Sequence, residues 1–226
     1  MNCRSANGVA VVVALLVTLV MSALMAGLIL VSSFEVMIAS NFRHGLGTLH
    51  AADAIAQRAI ADLSSISNWD DVLAGVNRST FVDGPPFGPR TLPDGTTLDL
   101  SQVLNLANCR RTTTCTDPEI EKVTTGRPWG LNNPRWQAYA YGRLGDILSN
   151  GVIDSPYYGV VLVGDDPSEN DDDPFRDGGG GGQPGFGVLA LRVEAFGPRR
   201  TRRILELIVN RTGPRLLRVV SWREVR

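Results

Sequence analysis

The sequence predicts an α+β protein: one long N-terminal helix whose outer half packs on an antiparallel β-sheet. Three observations predict it. A 23-residue apolar run, Val9 to Val31, opens the chain after a short polar leader. Helical periodicity then continues to Leu63, with no proline before Pro85. In the C-terminal half, short alternating or β-branched runs recur between turn residues, as strands of an antiparallel sheet do. A long helix with an apolar stripe needs a surface to bury it, and a sheet supplies one.

The elements follow in order. Residues 1–8 form a polar leader ending in Gly8. Between Arg4 and Glu35 there is no charged residue. At 1.5 Å per residue the run 9–31 makes a helix of roughly 35 Å, enough to cross a hydrocarbon core of about 30 Å. A secretory signal has a shorter apolar core, about 7–15 residues, so the run reads as a retained membrane helix. Beyond it, Phe42, Leu46, Leu49, Ala52, Ala56, Ile60 and Leu63 recur at steps of three and four and line one helix face, with Arg43, Gln57, Arg58 and Asp62 off the stripe. Residues 9–63 thus predict one helix roughly 80 Å long. Gly45 and Gly47 are its weak point, each costing about 1 kcal/mol against alanine.

These residues carry a resemblance. A polar leader ending in Gly8, followed by an uncharged apolar helix, resembles the class III leader of type IV prepilins. The continuation Phe34-Glu35-Val36-Met37-Ile38-Ala39-Ser40-Asn41-Phe42-Arg43, then Ala51-Ala52-Asp53-Ala54, is similar to the N-terminal region of PilX-type minor pilins. The resemblance covers residues 1–65. It implies a pilin-like fold, cleavage after Gly8 by a prepilin peptidase, and N-methylation of Val9. One position departs from the common pattern: the fifth mature residue, usually Glu, is Val13. That departure points away from a major subunit and toward a minor or initiating one.

Residues 64–226 are expected to form an exported globular domain. The chain has 226 residues, 43% hydrophobic, with a formal net charge of −1. The part outside the helix is large enough for one domain with its own core. The near-neutral balance gives no argument for a nucleic-acid partner. All basic residues except Lys122 are arginine. Of three cysteines, Cys3 lies in the leader. Cys109 and Cys115 bound a polar loop, and an even pair in an exported domain predicts a disulfide. Two ligands without a nearby histidine do not make a zinc site.

Residues 64–96 read as a connector, with Ser67 or Asn68 capping a turn over Trp69–Leu73 and Trp69 as a core anchor at the joint. The stretch Leu98–Leu106 fits a strand or a helical turn equally. Strands are predicted over Trp136–Leu144, with Trp136, Ala138 and Ala140 on one face and Tyr139 and Tyr141 on the other, and over Tyr157–Val163. Further strands are predicted over Val188–Phe196, Ile204–Asn210 and Leu217–Trp222. Gly197-Pro198-Arg199-Arg200 marks a tight hairpin.

Two charged stretches are candidate sites. An acidic and glycine-rich loop occupies residues 164–187; its segment 165–177 holds seven acids and one Arg. Calcium takes six to eight oxygens, and Asp165, Asp166, Asn170, Asp171 and Asp173 are the candidate ligands, although no EF-hand template fits. Calcium is the one cofactor for which the sequence offers a ligand set. Arg199, Arg200, Arg202 and Arg203 concentrate positive charge at the hairpin and could meet a polyanion or a neighbour's acidic loop. Gly180 to Gly185 formally fit G-x-G-x-x-G, but they lead into a strand and not a helix N-terminus, so they read as a flexible loop. The outer domain has no histidine, and nucleophile–base systems of the Ser-His or Cys-His kind have no foothold there. The sequence therefore reads as a non-enzyme.

The resemblance implies a minor pilin that takes part in type IV pilus assembly. Its partners would be other pilin subunits, met through the N-terminal helix, and prepilin peptidase. It would sit in the inner membrane as a single-pass protein and then in the pilus fibre. A type II secretion pseudopilin is the nearest alternative. A membrane-anchored module binding calcium or a polyanion is the alternative from another class.

Overall fold

The computed structural model describes residues 4–122, 132–149, 154–168, 171–178 and 185–225. The chain divides into two compact units, Met1–Arg43 and His44–Arg226. Helix α1 (Arg4–Leu63) contributes to both.

In the first unit, α1 is long and apolar enough to cross a membrane. Its large side chains from Val9 to Phe42 are exposed, as they must be where lipid or other helices are the solvent. Two hydroxyls on this segment bond within the helix: Thr18 donates to the Leu15 carbonyl at 2.9 Å and Ser33 to the Ile29 carbonyl at 2.8 Å.

The second unit is α+β. Its main sheet is an antiparallel meander in the order β3-β4-β5-β6-β7. The strands are β3 (Gln137–Arg143), β4 (Tyr158–Asp165), β5 (Val188–Gly197), β6 (Thr201–Gly213) and β7 (Leu216–Val225). The outer part of α1 lies on one face. Ala51, Ala52, Ile55, Ala56, Ala59 and Leu63 pack there with Val161, Val163, Leu189, Leu191, Val193, Leu205, Leu207 and Val209. Small side chains on the helix let it approach closely. At Gly159 of β4 an added Cβ would lie 2.3 Å from Ile55 Cδ1, and at Gly47 of α1 it would lie 2.2 Å from the Tyr157 hydroxyl. Gly47, expected as a helix weak point, is therefore also the place where Tyr157 fits against the helix.

The opposite face of β3 and β4 carries a second core. Ala138, Tyr141, Tyr158, Val160 and Leu162 pack under Leu92, Leu100 and Val103. The last three come from the hairpin of β1 (Pro89–Thr91) and β2 (Thr97–Asp99) and from helix α3 (Leu100–Cys109). Strand β4 is thus buried along its whole length. The stretch left open between strand and helix resolves into both: β2 ends at Asp99, whose side chain accepts from the Ser101 amide at 2.9 Å and starts α3.

Two expectations need correction. The faces of β3 do not alternate as predicted. A bulge shifts the register between Ala138 and Ala140, so Tyr139 and Ala140 both enter the helix-side core while Ala138 and Tyr141 enter the other. Nor is 64–96 only a connector. The expected turn is present as α2 (Asp70–Leu73), with Asn68 accepting the Asp70 amide at 3.2 Å, but the stretch also holds β1. Its segment Ser79–Asp83 also runs beside β3: the Ser79 and Asp83 amides donate to the Tyr139 and Tyr141 carbonyls, and the Tyr141 amide to the Phe81 carbonyl, at 2.9–3.0 Å. Trp69 is buried at the joint, as expected, with the Arg211 guanidinium stacked 3.9 Å from its ring centroid.

Candidate functional site

The first candidate is the junction Gly8–Val9. Both residues lie inside α1, in the apolar unit, and nothing approaches within 4 Å of where a Gly8 side chain would begin. Val13 is about half exposed, like the residues around it. Chemically this is a surface for burial in lipid or in a bundle of helices.

Cys109 and Cys115 form the expected disulfide, with Cα atoms 5.9 Å apart. The local sequence explains how they meet. Helix α3 ends at Cys109, and Arg110 takes a left-handed conformation (φ 57°) that turns the chain back. Asn108 then ties this end reciprocally to the residue that precedes β3, accepting the Trp136 amide at 2.8 Å and donating to the Trp136 carbonyl at 3.1 Å. Helix α4 (Asp117–Glu121) follows, with Glu119 accepting the Thr116 amide at 3.0 Å. That bond and the Thr116 side chain, with Arg111 beside it, hold the Glu119 carboxyl below its ordinary pKa.

Of the proposed calcium ligands, Asn170 lies outside the described residues. Asp165 is the buried last residue of β4, paired with Leu189. Asp166 is also buried and receives the Ser168 amide and hydroxyl. Asp171 accepts the Asp173 amide at 2.9 Å, and Asp173 accepts the Phe175 amide at 3.2 Å and pairs with Arg176. Asp172, not on the predicted list, exchanges two bonds with Asn132 at 2.7 and 2.9 Å. Asp166, Asp171 and Asp173 are thus engaged in local turns. Among the described residues no three His, Cys, Asp or Glu side chains gather as a metal site.

Sequence reasoning passed over Asp177, at the end of this loop. It is buried and accepts the Gly187 amide at 2.7 Å, while its own amide donates to Asp70 at 2.9 Å. It therefore closes the base of the glycine-rich segment and ties it to α2. Burial pushes its carboxyl pKa above the ordinary 3.8.

The four arginines of the hairpin do not share one surface. Pro198, Arg199 and Arg200 form a 3-10 turn, with Arg199 and Arg200 left-handed and exposed. Arg202 and Arg203 are strand neighbours and face opposite ways. Arg202 binds Glu194 across the outer face, its Nε donating at 3.0 Å. Arg203 pairs with Glu224 at 2.8 Å and donates to the Gly45 carbonyl. Glu194 is the centre of an ionic lattice that sequence reasoning did not reveal. It is fully buried and also accepts Arg192 Nε at 2.8 Å; Arg192 continues to Glu206 at 2.7 Å, and Glu206 to Arg223. The signal was present in the alternation of Arg192, Glu194, Arg202 and Glu206, but only the register brings them together.

Last is the free edge of the sheet. Among the described residues, strand β7 pairs with β6 alone, and Leu216, Val219, Val220 and Trp222 on it are exposed. A run of exposed large apolar residues on an open edge is unusual for a soluble domain.

Compared with protein-family models, curated proteins and solved structures, the chain gives no match.

Proposed function

We propose that the chain is a minor pilin, a subunit that takes part in type IV pilus assembly after cleavage behind Gly8. The observation that carries this reading is the uncharged apolar segment Val9–Val31, which follows Gly8 directly and belongs to the same helix whose outer part forms the core of an α+β domain. A membrane anchor alone needs no such continuity, whereas a subunit extracted from lipid into a helix bundle does. The segment serves two apolar surroundings in turn, and nothing charged on it opposes the transfer. The disulfide of a loop in the outer domain fits an exported location.

Val13 sets the expected position. In a bundle, an acid at the fifth mature residue would face a neighbour's N-terminal amine. Valine supplies no such partner, so this subunit fits best where no neighbour lies above it, at an initiating end.

Mass spectrometry of the cell-derived protein tests the reading. The expected product starts at a methylated Val9, and Gly8→Val blocks its formation. An N-terminus left intact ahead of Gly8 in the wild-type protein sinks the proposal.

A further inference from the structure

We propose that β7 is a docking edge for a strand of another protein subunit, one that alternates apolar and acidic side chains. The two edges of the sheet differ. Beside β3, the segment Ser79–Asp83 occupies the edge with three backbone hydrogen bonds. Beside β7, among the described residues, no strand pairs on the outer side. About every second residue of this ten-residue strand turns its N–H and C=O to the outer side, which is the geometry of β-augmentation.

The side chains of β7 state what the partner must carry. Residues paired with Leu207 and Val209, namely Trp222 and Val219, lie on the helix side of the sheet and extend its apolar surface; they are 48% and 38% exposed. Residues paired with Asn210 and Glu206, namely Arg218 and Arg223, lie on the outer side. Among the described residues no carboxylate pairs with Arg218 or with Arg215 at the β6–β7 turn. The complement is a strand with apolar residues toward Val219 and Trp222 and acids toward Arg218 and Arg223. Strand β6 already meets β7 in this manner from the inner side, with Leu205-Glu206-Leu207 and a Glu206–Arg223 ion pair.

Charge also argues against a second copy as the occupant. An antiparallel self-pair centred on β7 would set Arg218 of one copy beside Arg223 of the other, and like charges across a pair destabilise it. Edge strands are commonly guarded by charge against such pairing, but a guarded edge does not also expose Leu216, Val219, Val220 and Trp222. The inference does not rest on cleavage after Gly8.

The test uses the full chain in detergent micelles and two labelled ten-residue peptides, one alternating Val and Glu and one alternating Val and Lys. Fluorescence anisotropy is expected to rise with the Val/Glu peptide and not with the Val/Lys peptide. Arg218→Glu should weaken the Val/Glu peptide roughly three- to tenfold and strengthen the Val/Lys peptide, with an unchanged far-UV spectrum. Trp222→Ser should weaken the Val/Glu peptide without reversing the charge preference. The proposal is overturned if neither peptide binds at about 1 mM, or if Arg218→Glu leaves both affinities unchanged. It is equally overturned if the chain dimerises through this edge, shown by a dimer that Trp222→Ser dissolves.

Discussion

Single residues set the tightest limits in this protein. Gly159 lies mid-strand in β4, where alanine would ordinarily be the better residue. Here an added Cβ would meet three atoms of Ile55, which is itself fully buried and has no room to retreat. Gly159→Ala is therefore expected to destabilise the outer domain by about 1–3 kcal/mol in urea unfolding. Ile55→Val removes the atom that stands closest, so the alanine should cost less in that background. Equal costs in both backgrounds would mean that Ile55 is not what the glycine accommodates. Asp177 gives a different kind of prediction. Desolvation raises its pKa; the Gly187 amide and Arg211 oppose that rise and Asp70 adds to it. A carboxyl with a raised folded pKa binds its proton more tightly in the native state, so its contribution is complete below the unfolded value near 3.8 and is lost as pH climbs through the folded value. Asp177→Asn keeps an acceptor for Gly187 and removes the titration. The variant should gain on the wild type as pH rises from about 4 toward neutrality, measured as the difference in unfolding free energy. A difference that does not change with pH rules this out.

At the scale of elements, the sheet shows what a sequence discloses and what it hides. Strands β5 and β6 were legible because their side chains alternate and because Gly197-Pro198 announces the hairpin between them; β4 was legible as a short β-branched run, buried on both faces. Strand β3 was legible as a strand but not in its faces. One extra residue at Tyr139 moves every later side chain to the other side, and nothing in Ala-Tyr-Ala-Tyr signals a bulge. The helix–strand ambiguity at 98–106 was real, since the chain uses both and Asp99 marks the change. The ionic lattice on β5 and β6 was hidden for another reason. Arg192 and Glu206 stand opposite each other only in the observed register, and burial of Glu194 depends on what lies over it. Because Glu194 is fully buried while Arg223 is mostly exposed, their removal should differ sharply. Glu194→Ala is expected to cost about 2–4 kcal/mol, since it strips partners from Arg192 and Arg202. Arg223→Ala should cost less than about 1 kcal/mol and be masked by salt. Comparable losses for the two variants would show that the lattice carries no buried-charge energy.

For the molecule as a whole, two solvents explain the division into two units. The large apolar side chains from Val9 to Phe42 are exposed, on a helix long and apolar enough to cross a membrane. From His44 onward the chain holds both cores, the disulfide, and the part of α1 that the sheet buries. The sequence stripe foretold the helix–sheet packing but not where self-sufficiency begins, because Leu46 and Leu49 on the stripe look no different from Phe42 above them. The structural marker is a set of close contacts at the first turns of the outer helix. Arg203 donates to the Gly45 carbonyl, Tyr157 stands against Gly47, and the Thr48 and Thr201 hydroxyls share a hydrogen bond of 2.7 Å. A fragment beginning at His44 retains all of these. It should fold in water without detergent, unfold cooperatively in urea, and keep Cys109 and Cys115 paired. A fragment beginning at Ala56 loses Ala51, Ala52 and Ile55 from the helix-side core and leaves Gly159 facing a void. It should fail to give dispersed amide resonances, since losing one buried Ile alone typically costs about 2–5 kcal/mol against a total stability of about 5–15 kcal/mol. If both fragments fold equally well, the sheet does not need the helix, and the spine assigned to α1 is only an attachment. If neither folds, the outer domain depends on the apolar segment, and the boundary at His44 has no meaning for stability.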